Sequence, residues 1–546
     1  MRIFIYLFPL LCCKLSLALA LQETKLYDFS EQVYIHKSKS IAVTGETVPF
    51  SVDIRSHDKP TFSKMAYADL ISREGERMTG TIIPLESGKA NAYLTIPTGI
   101  PSDHYLLRVY SRLASSLGNE NHYHHSLITV INPEIPPQGS QQIGKAWEER
   151  SVKSPIKLSL SKETLAQTEE AELIITAPLS KDLSISISKK NPYLPDLKVK
   201  RLDTEIHQPR SYELIPELRG HIIKGAISGS QIDTTQVYFL SAHGKKSDLF
   251  LGKPNKNGQV FFEMGAMKDY DFLLLQTEQD TVPFGMSIQH PFAPAPNEEL
   301  LAFPPLQLAE KDMDLLNDMV ISSSTTGYYF KPEESIGQTI ITGFDADRAY
   351  HLDNYNRFAD VATTLKEYVP TVMVRKNGGK YHFKLSNFPE DRMFKNNPLM
   401  LIDAMPVFDS DDLGKHRADS IERIEVVNRN FYILDNIFEG VINIKSYHND
   451  FGGFPIPDRA LYLEYPKIQQ AVDWKFNSPL KEEEDRLPDF RTILFWDENI
   501  HVDEEGKAKI KFTTSQIPGE YEIKVSSISS DGIQHWSKME FEVLGD

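Results

Sequence analysis

The cluster His122-Tyr123-His124-His125 carries the side chains best suited to metal chemistry. If this segment is a strand, His122 and His124 point to the same side, because alternate residues of a strand share a face. Two imidazoles together with His104 or an acidic side chain could then bind zinc. The alternative is a polar strand edge before Leu127-Ile128, which we favour because the tight helical spacing of a metalloprotease motif is missing. The sequence does not decide whether His122 and His124 bind metal.

A second candidate is the acidic run Asp409-Ser410-Asp411-Asp412, which resembles part of a calcium loop. It lacks the glycine and the terminal glutamate of an EF-hand loop, so a solvated turn or a helix cap is the favoured interpretation.

Motifs that would indicate catalysis are missing from the sequence. It contains no phosphate-binding glycine loop, no nucleophile-elbow serine and no helix with paired zinc-binding histidines. We therefore predict a protein that is not an enzyme, with no catalytic residues, no cofactor and no metal site.

The charge balance disfavours one class of partner. The 546 residues include 59 basic and 76 acidic side chains, a formal net charge of -17. Such a chain repels the phosphate backbone unless basic residues are locally concentrated, so we do not expect nucleic-acid binding.

The first 20 residues look like a cleaved export signal. Arg2 precedes an apolar stretch that ends in Ala18-Leu19-Ala20, small residues at the two positions a signal peptidase reads. The alternatives are a short membrane anchor, which Lys14 disfavours, and a lipoprotein signal at Cys12 or Cys13, which lacks the usual preceding small residue. We predict an exported protein, periplasmic or associated with the outer membrane, with no transmembrane helix after cleavage.

Cys12 and Cys13 are the only cysteines. The mature chain would therefore hold no disulfide and no thiolate metal site, and each domain must be stable through its core alone.

Alternating apolar and polar residues, such as Val48, Phe50, Val52 and Ile54, predict a mainly β chain of several sandwiches. From Phe358 to Val369 the period changes to helical, which indicates one small α+β unit. The predicted divisions are a sandwich at 32–132, a short β-rich segment at 153–192, a sandwich at 213–290, a linker at 291–344, the α+β unit at 345–450, a linker at 451–489 and a sandwich-like unit at 490–546.

The first division resembles the macroglobulin-type β-sandwich of large bacterial envelope proteins. The resemblance is carried by Val33-Tyr34-Ile35-His36-Lys37, by Thr44 to Phe50, by Ile100 to Tyr110, and by the closing Ile128-Thr129-Val130-Ile131-Asn132-Pro133. It implies an immunoglobulin-like sandwich. The thioester by which true macroglobulins trap proteases requires a cysteine, and the mature chain would have none.

The α+β unit resembles the plug domain of TonB-dependent outer-membrane receptors. Leu401 to Val407 looks like the plug's aspartate-glycine-x-proline strand end, with Ala404 in place of the glycine, and the strands Asp419 to Val427 and Phe438 to Ile444 look like the next ones. The glycines usual between these strands are missing at Asn428 to Asn436. Roughly 95 residues follow Phe451, too few for the receptor's barrel.

Taken together, the chain resembles plug-bearing macroglobulin-like envelope proteins of Bacteroidota. This resemblance implies a protein-binding accessory or scaffold that docks to an outer-membrane β-barrel, a transport complex or another envelope protein. The alternatives are a carbohydrate- or peptide-binding module of a nutrient-uptake system, which would expose an aromatic platform on one sandwich face, and a protease trap without a thioester.

Overall fold

A computed structural model describes residues 31–56, 59–116, 122–138, 146–149, 154–178, 182–199, 217–229, 231–265, 270–278, 285–334, 345–470, 472–476, 488–529 and 532–545. The predicted export signal at residues 1–20 lies outside these ranges. The prediction of a mainly β, multi-sheet protein is confirmed.

The first sandwich packs two sheets face to face. One has the order β1-β3-β4 with β7 also on β3, and the other has the order β2-β9-β8-β5-β6. The alternating residues Val48, Phe50, Val52 and Ile54 are all buried between the sheets, as their period of two requires. The elements are β1 (Glu31–Lys37), β2 (Ile41–Val43), β3 (Thr47–Ser56), β4 (Lys59–Pro60), β5 (Met65–Ile71), β6 (Arg77–Pro84), β7 (Lys89–Thr95), β8 (Asp103–Tyr110), α1 (Arg112–Ser116) and β9 (His124–Ile131).

The next strands do not complete a fold of their own. The short strands β10 and β15 pair with each other, while β11 pairs with β13. The elements are β10 (Trp147–Glu149), β11 (Lys157–Leu160), β12 (Thr164–Leu165), β13 (Glu170–Thr176), β14 (Asp182–Lys189) and β15 (Leu197–Val199).

A middle sandwich follows, made of the sheets β19-β16-β21 and β18-β17-β20-β33. Its last strand comes from much later in the chain, because β33 pairs with β20 only after the α+β unit has been completed. The elements are β16 (Ile222–Ser228), β17 (Tyr238–Gly244), β18 (Asp248–Gly252), β19 (Gln259–Glu263), β20 (Tyr270–Thr277), β21 (Gly285–Ile288) and, from the returning chain, β33 (Leu461–Glu464).

Residues 291–306, here called the strap, lie against the first sandwich. Phe303 and Leu300 are buried there beside Trp147, whose Nε1 donates to the Leu300 carbonyl at 3.1 Å. The prolines of the strap have no N–H to pair in a sheet, and side chains satisfy its carbonyls instead: Arg108 Nη1 donates to the Pro294 carbonyl at 2.8 Å. The interval at 291–344, predicted as a linker, thus begins as a packed segment. It contains α2 (Glu298–Leu301), α3 (Met313–Tyr329) and β22 (Phe330–Glu334).

The α+β unit has a sheet of order β23-β29-β32-β27-β28, with β27 and β32 parallel, covered by two helices and a hairpin. The helix begins after the N-cap Asp360 and buries Val361 and Leu365, as the helical period predicts. Its elements are β23 (Arg348–His351), α4 (Val361–Tyr368), β24 (Val372–Asn377), β25 (Lys380–Asn387), β26 (Arg392–Met393), β27 (Leu399–Ile402), β28 (Met405–Pro406), α5 (Ser410–Lys415), β29 (Ile421–Val427), β30 (Phe431–Ile433), β31 (Asn436–Phe438) and β32 (Val441–Ser446).

The tight turn between β27 and β28 requires a left-handed backbone. Asp403 and Ala404 have φ values of 46° and 67°, so Ala404 holds a conformation that glycine adopts more easily. The Asp403 carboxylate is fully buried and accepts from Ser446 N at 3.0 Å and Phe451 N at 2.9 Å. These bonds tie the turn to Ser446 at the end of β32 and to Phe451 just beyond it.

The C-terminal strands pair with strands near residue 170 that form no complete sandwich by themselves. Strand β36 pairs with β13, while β35 and β37 pair with the two edges of β14. The resulting split sandwich has the sheets β11-β13-β36 and β12-β38-β37-β14-β35, with one common core. The segments at 153–192 and 490–546, separate in the sequence prediction, thus share both sheets. The remaining strands are β34 (Val472–Phe476), which pairs with β22, and β35 (Ile493–His501), β36 (Lys507–Thr513), β37 (Gly519–Ile528) and β38 (Gln534–Val543).

The chain is therefore nested twice. The α+β unit is inserted before the last strand of the middle sandwich, and the middle sandwich is inserted between the halves of the split sandwich. No helix in the described ranges is both long enough and apolar enough to cross a membrane.

Candidate docking surface

The histidine cluster does not converge on a metal site. His122 precedes β9 and bonds through Nδ1 to the Glu31 carbonyl at 3.1 Å, so the strand period that would align it with His124 does not apply. His104 is buried inside the first sandwich, where Nδ1 lies 2.8 Å from Thr129 Oγ1 and burial lowers its pKa to about 4. Among the residues that the structure describes, no group of three or more His, Cys, Asp or Glu side chains could hold a metal ion.

The acidic run at 409–412 forms a helix cap, one of the two roles favoured by its sequence. Asp409 is the N-cap of α5, and its side chain accepts from Asp411 N at 2.8 Å. Asp411 in turn accepts from Tyr381 N at 3.2 Å. These carboxylates serve local structure.

The feature that does stand out is the hairpin formed by β30 and β31, here called the docking hairpin (residues 431–438). Its inner face, Phe431, Ile433 and Phe438, packs on a cluster shared by the α+β unit and the middle sandwich. The members of that cluster are Phe239, Leu251, Leu399, Leu401, Val427 and Val441. The inner face of the hairpin is therefore held by contacts with both units.

The outer face of the same hairpin is also apolar. Tyr432 and Ile437 are cross-strand partners, and each is 62% exposed. Leu434 at the turn is 70% exposed. We call these three side chains the apolar tip; an exposed apolar cluster of this kind on a soluble surface is typical of an interaction site.

The backbone of the apolar tip carries strain. Leu434 has φ 54°, a left-handed conformation that costs an L-residue roughly 1–2 kcal/mol. Asparagine or glycine would relieve it, so the presence of an exposed leucine in this conformation favours a role for the side chain.

A charged contact fixes the tip in place. Lys253, just after β18 of the middle sandwich, bonds to Asp435 at 2.8 Å. This hydrogen bond lowers the pKa of Asp435 below its ordinary value. The turn is thus linked to a second unit by an exposed ion pair.

Phe388 extends the apolar character toward the base of the hairpin. Its backbone N–H donates to the Asn428 carbonyl at 2.9 Å, and its ring, which is 46% exposed, lies beneath the Arg348 guanidinium. No acid, base or nucleophile is part of the apolar tip, so the surface is suited to binding. Full burial of Leu434 or Ile437 against a partner would contribute roughly 1.5–3 kcal/mol each.

Sequence reasoning missed this hairpin. The segment Phe-Tyr-Ile-Leu-Asp-Asn-Ile-Phe, residues 431–438, is apolar on both faces and has a polar pair at its turn. A surface hairpin with two apolar faces packs one of them on the fold and leaves the other exposed. This two-sided apolar pattern is the signal from which the sequence could have indicated the exposed face. The missing glycines at 428–436 fall in the same place.

Comparisons with known proteins give structural neighbours and no sequence relatives. Neither a protein-family model nor a curated protein matches the chain. Among solved structures, Salmonella alpha-2-macroglobulin reacted with methylamine is similar at 10% identity, over 95% of this chain and 40% of that one, with a TM-score of 0.24. Escherichia coli alpha-2-macroglobulin activated by porcine elastase is similar at 8% identity, over 94% and 44%, with a TM-score of 0.24. The chain thus spans less than half the length of these neighbours.

Proposed function

We propose that this protein is an exported, non-enzymatic scaffold of the cell envelope that docks a protein partner through the apolar tip. The partner we favour is an outer-membrane β-barrel or another component of a transport complex. The observation that carries the proposal is the apolar tip itself: three exposed apolar side chains within six residues, one of them in a strained backbone conformation.

The base of the hairpin supports binding without rearrangement. The inner face is packed against two units, and the Lys253–Asp435 ion pair holds the turn. A surface already fixed in its bound shape loses little conformational entropy on association, so a small apolar patch can give useful affinity. The nested sandwiches then act as the body that carries this surface.

The alternative of a glycan- or peptide-binding module receives less support. It predicts an aromatic platform on one sandwich face, but the largely exposed aromatic side chains of the described sandwiches are Phe62 on the first and Tyr462 on the middle one. These two rings lie on different sandwiches, and Tyr462 is stacked on the half-buried Phe272 at 5.1 Å between centroids, so Phe62 and Tyr462 do not form one platform.

The test is affinity capture of the tagged protein from detergent-solubilised envelopes, comparing wild type with the triple variant Tyr432→Ser, Leu434→Asn, Ile437→Ser. We expect wild type to retain a β-barrel partner at near-equal abundance and the triple variant to lose it at least about tenfold, since burial of one such side chain already corresponds to that factor.

The matched control is Phe62→Ser, which removes a side chain 77% exposed on the first sandwich, far along the chain from the hairpin. It should capture the partner as wild type does. Equal capture by the triple variant, or wild-type protein that emerges alone from the soluble fraction, would contradict docking through the apolar tip.

A further inference from the structure

The middle sandwich has two interfaces with other units, and each contains a completely buried histidine. His221 lies where the middle sandwich meets the first sandwich, and His243 lies where it meets the α+β unit. Both rings use both nitrogens in hydrogen bonds. Buried histidines at unit boundaries link protonation to the closure of those boundaries.

His243 is buried between aromatic rings, and among the residues that the structure describes its hydrogen-bond partners are serine hydroxyls and not carboxylates. Its ring stacks on Phe272 at 4.9 Å between centroids and meets Phe451 of the α+β unit edge-on at 4.8 Å. Nδ1 bonds to Ser247 Oγ at 3.1 Å and Nε2 to Ser241 Oγ at 2.8 Å. Ser247 also accepts from Asn449 of the α+β unit at 2.6 Å, so the histidine supports the contact between the two units.

The charges around His243 oppose its protonation. Lys445 of the α+β unit adds a positive charge to the surroundings, and Asp248 of the middle sandwich is already engaged by the Tyr270 hydroxyl at 2.8 Å. Burial first, and Lys445 second, lower the pKa of His243 to about 3.

His221 belongs to a buried polar network. Nδ1 bonds to Glu217 Oε1 at 2.9 Å and Nε2 to Tyr465 Oη at 2.7 Å. From the first sandwich, Tyr67 donates to Glu217 at 2.7 Å and Arg112 lies 3.4 Å from the same carboxylate.

This network also keeps His221 neutral. Burial lowers its pKa, and although the Glu217 carboxylate acts in the opposite direction, Arg112 reinforces the lowering. In the neutral ring Nδ1 carries the hydrogen, because the Glu217 carboxylate only accepts, and Nε2 accepts from the Tyr465 hydroxyl; protonation at Nε2 would require that hydroxyl to turn and accept instead.

We propose that His221 and His243 make the two interfaces of the middle sandwich open in mild acid, while the individual sandwiches remain folded. In the closed form both rings are neutral. In the open form they reach water and can take up a proton. Opening is therefore favoured as the pH falls below the ordinary pKa of histidine.

The size of the effect follows from linkage. Above about pH 6.5 the two histidine rings are neutral in both the open and the closed form, so the closed form keeps its full stability. The pKa of His243 is about 3 in the closed form and about 6.5 in the open form. Lowering the pH to 5 therefore raises the ratio of open to closed molecules about 30-fold. His221 acts in the same direction.

Small-angle X-ray scattering between pH 7.5 and 4.5, with far-UV circular dichroism on the same samples, tests the proposal. We expect the radius of gyration to rise reversibly between pH 6.5 and 5 while the β-sheet signal stays constant. A radius that is constant until the β-sheet signal is lost would overturn the proposal, whatever partner the apolar tip binds.

Variants distinguish acid-induced opening at the interface from a general sensitivity of the protein to acid. His243→Gln cannot titrate and should lower the opening pH by about 0.5 unit or more. The matched control His104→Gln removes a histidine buried within the first sandwich and should open as wild type does. Equal behaviour of the two variants would contradict the assignment to the interface.

A second variant covers the case in which His243→Gln fails to fold at pH 7.5. Asn449→Ala removes the bonds from the α+β unit to Ser247 and to the Gly244 carbonyl but leaves His243 titratable. It should raise the opening pH above that of wild type, and an unchanged opening pH would contradict the proposal.

Discussion

Leu434 is the residue at which the fold and the proposed function make opposite demands. Its left-handed backbone disfavours a γ-branched side chain, yet that side chain is the most exposed of the apolar tip. Asp403, which is also left-handed, instead uses its carboxylate in buried hydrogen bonds. Under the proposed function, binding explains the strained residue with an exposed apolar side chain, whereas local structure explains the strained aspartate.

The variant Leu434→Asn tests this conflict. Asparagine tolerates the left-handed region, so we expect the free energy of unfolding to rise by about 0.5–1 kcal/mol while partner capture falls. Chemical denaturation and envelope capture of the same protein measure both quantities. A variant that is less stable than wild type would show that Leu434 contributes to packing and would remove the argument from strain.

At the scale of elements, the strap shows how a proline-rich segment becomes part of a core. Arg108 is buried together with Asp69, at 2.9 Å, and also donates to the strap carbonyls of Pro294 and Ala293. Arg73 does the same for Phe303 and Pro304. Two arginines from the first sandwich thus satisfy carbonyls that a proline-rich chain cannot pair in a sheet.

We therefore expect removal of the Arg108 side chain to destabilise the folded protein strongly. Arg108→Met leaves the Asp69 carboxylate buried with the longer contacts from the Tyr110 hydroxyl at 3.3 Å and from Arg77 at 3.5 Å, and we expect a loss of about 3–5 kcal/mol in the free energy of unfolding. The control Arg55→Met breaks the more exposed pair with Asp53 and should lose less than about 1 kcal/mol. Similar losses for both variants in urea denaturation would contradict a special role for the strap contact.

At the scale of the whole molecule, the split sandwich joins strands about 340 residues apart. Strand β13 carries Glu170 and Glu172 on its outer face, and β36 carries Lys509 and Lys511. In the assembled sheet Lys509 lies 2.7 Å from Glu172 and Lys511 lies 3.0 Å from Glu170. The two strands are complementary in charge as well as in their buried faces.

Charge reversal tests this pairing. The double variant Lys509→Glu, Lys511→Glu places like charges across the two strands and should reduce the free energy of unfolding by about 1 kcal/mol at low salt. Adding Glu170→Lys and Glu172→Lys should restore most of that loss. Failure of the fourfold variant to recover in thermal melts at low salt would contradict the pairing of β13 with β36.

The sequence by itself determined the local structure of this protein. A period of two gave the strands of the first sandwich, as at Val48 to Ile54, because a sheet with one buried face must alternate. The helical period from Phe358 to Val369 predicted α4, and the missing glycine and glutamate of a calcium loop agreed with the cap at Asp409. These features depend on neighbours within a few residues.

Only the tertiary structure decided which strands pair and which side chains remain exposed. The pattern of β13 shows an apolar face but does not name β36 as its partner, because distant pairing depends on where the intervening units place the chain. For the same reason a polar strand residue such as His243 could not be recognised as an interface residue, nor Tyr432, Leu434 and Ile437 as an exposed surface. Burial of an apolar residue is set by what packs against it, and in this nested fold those partners come from other units.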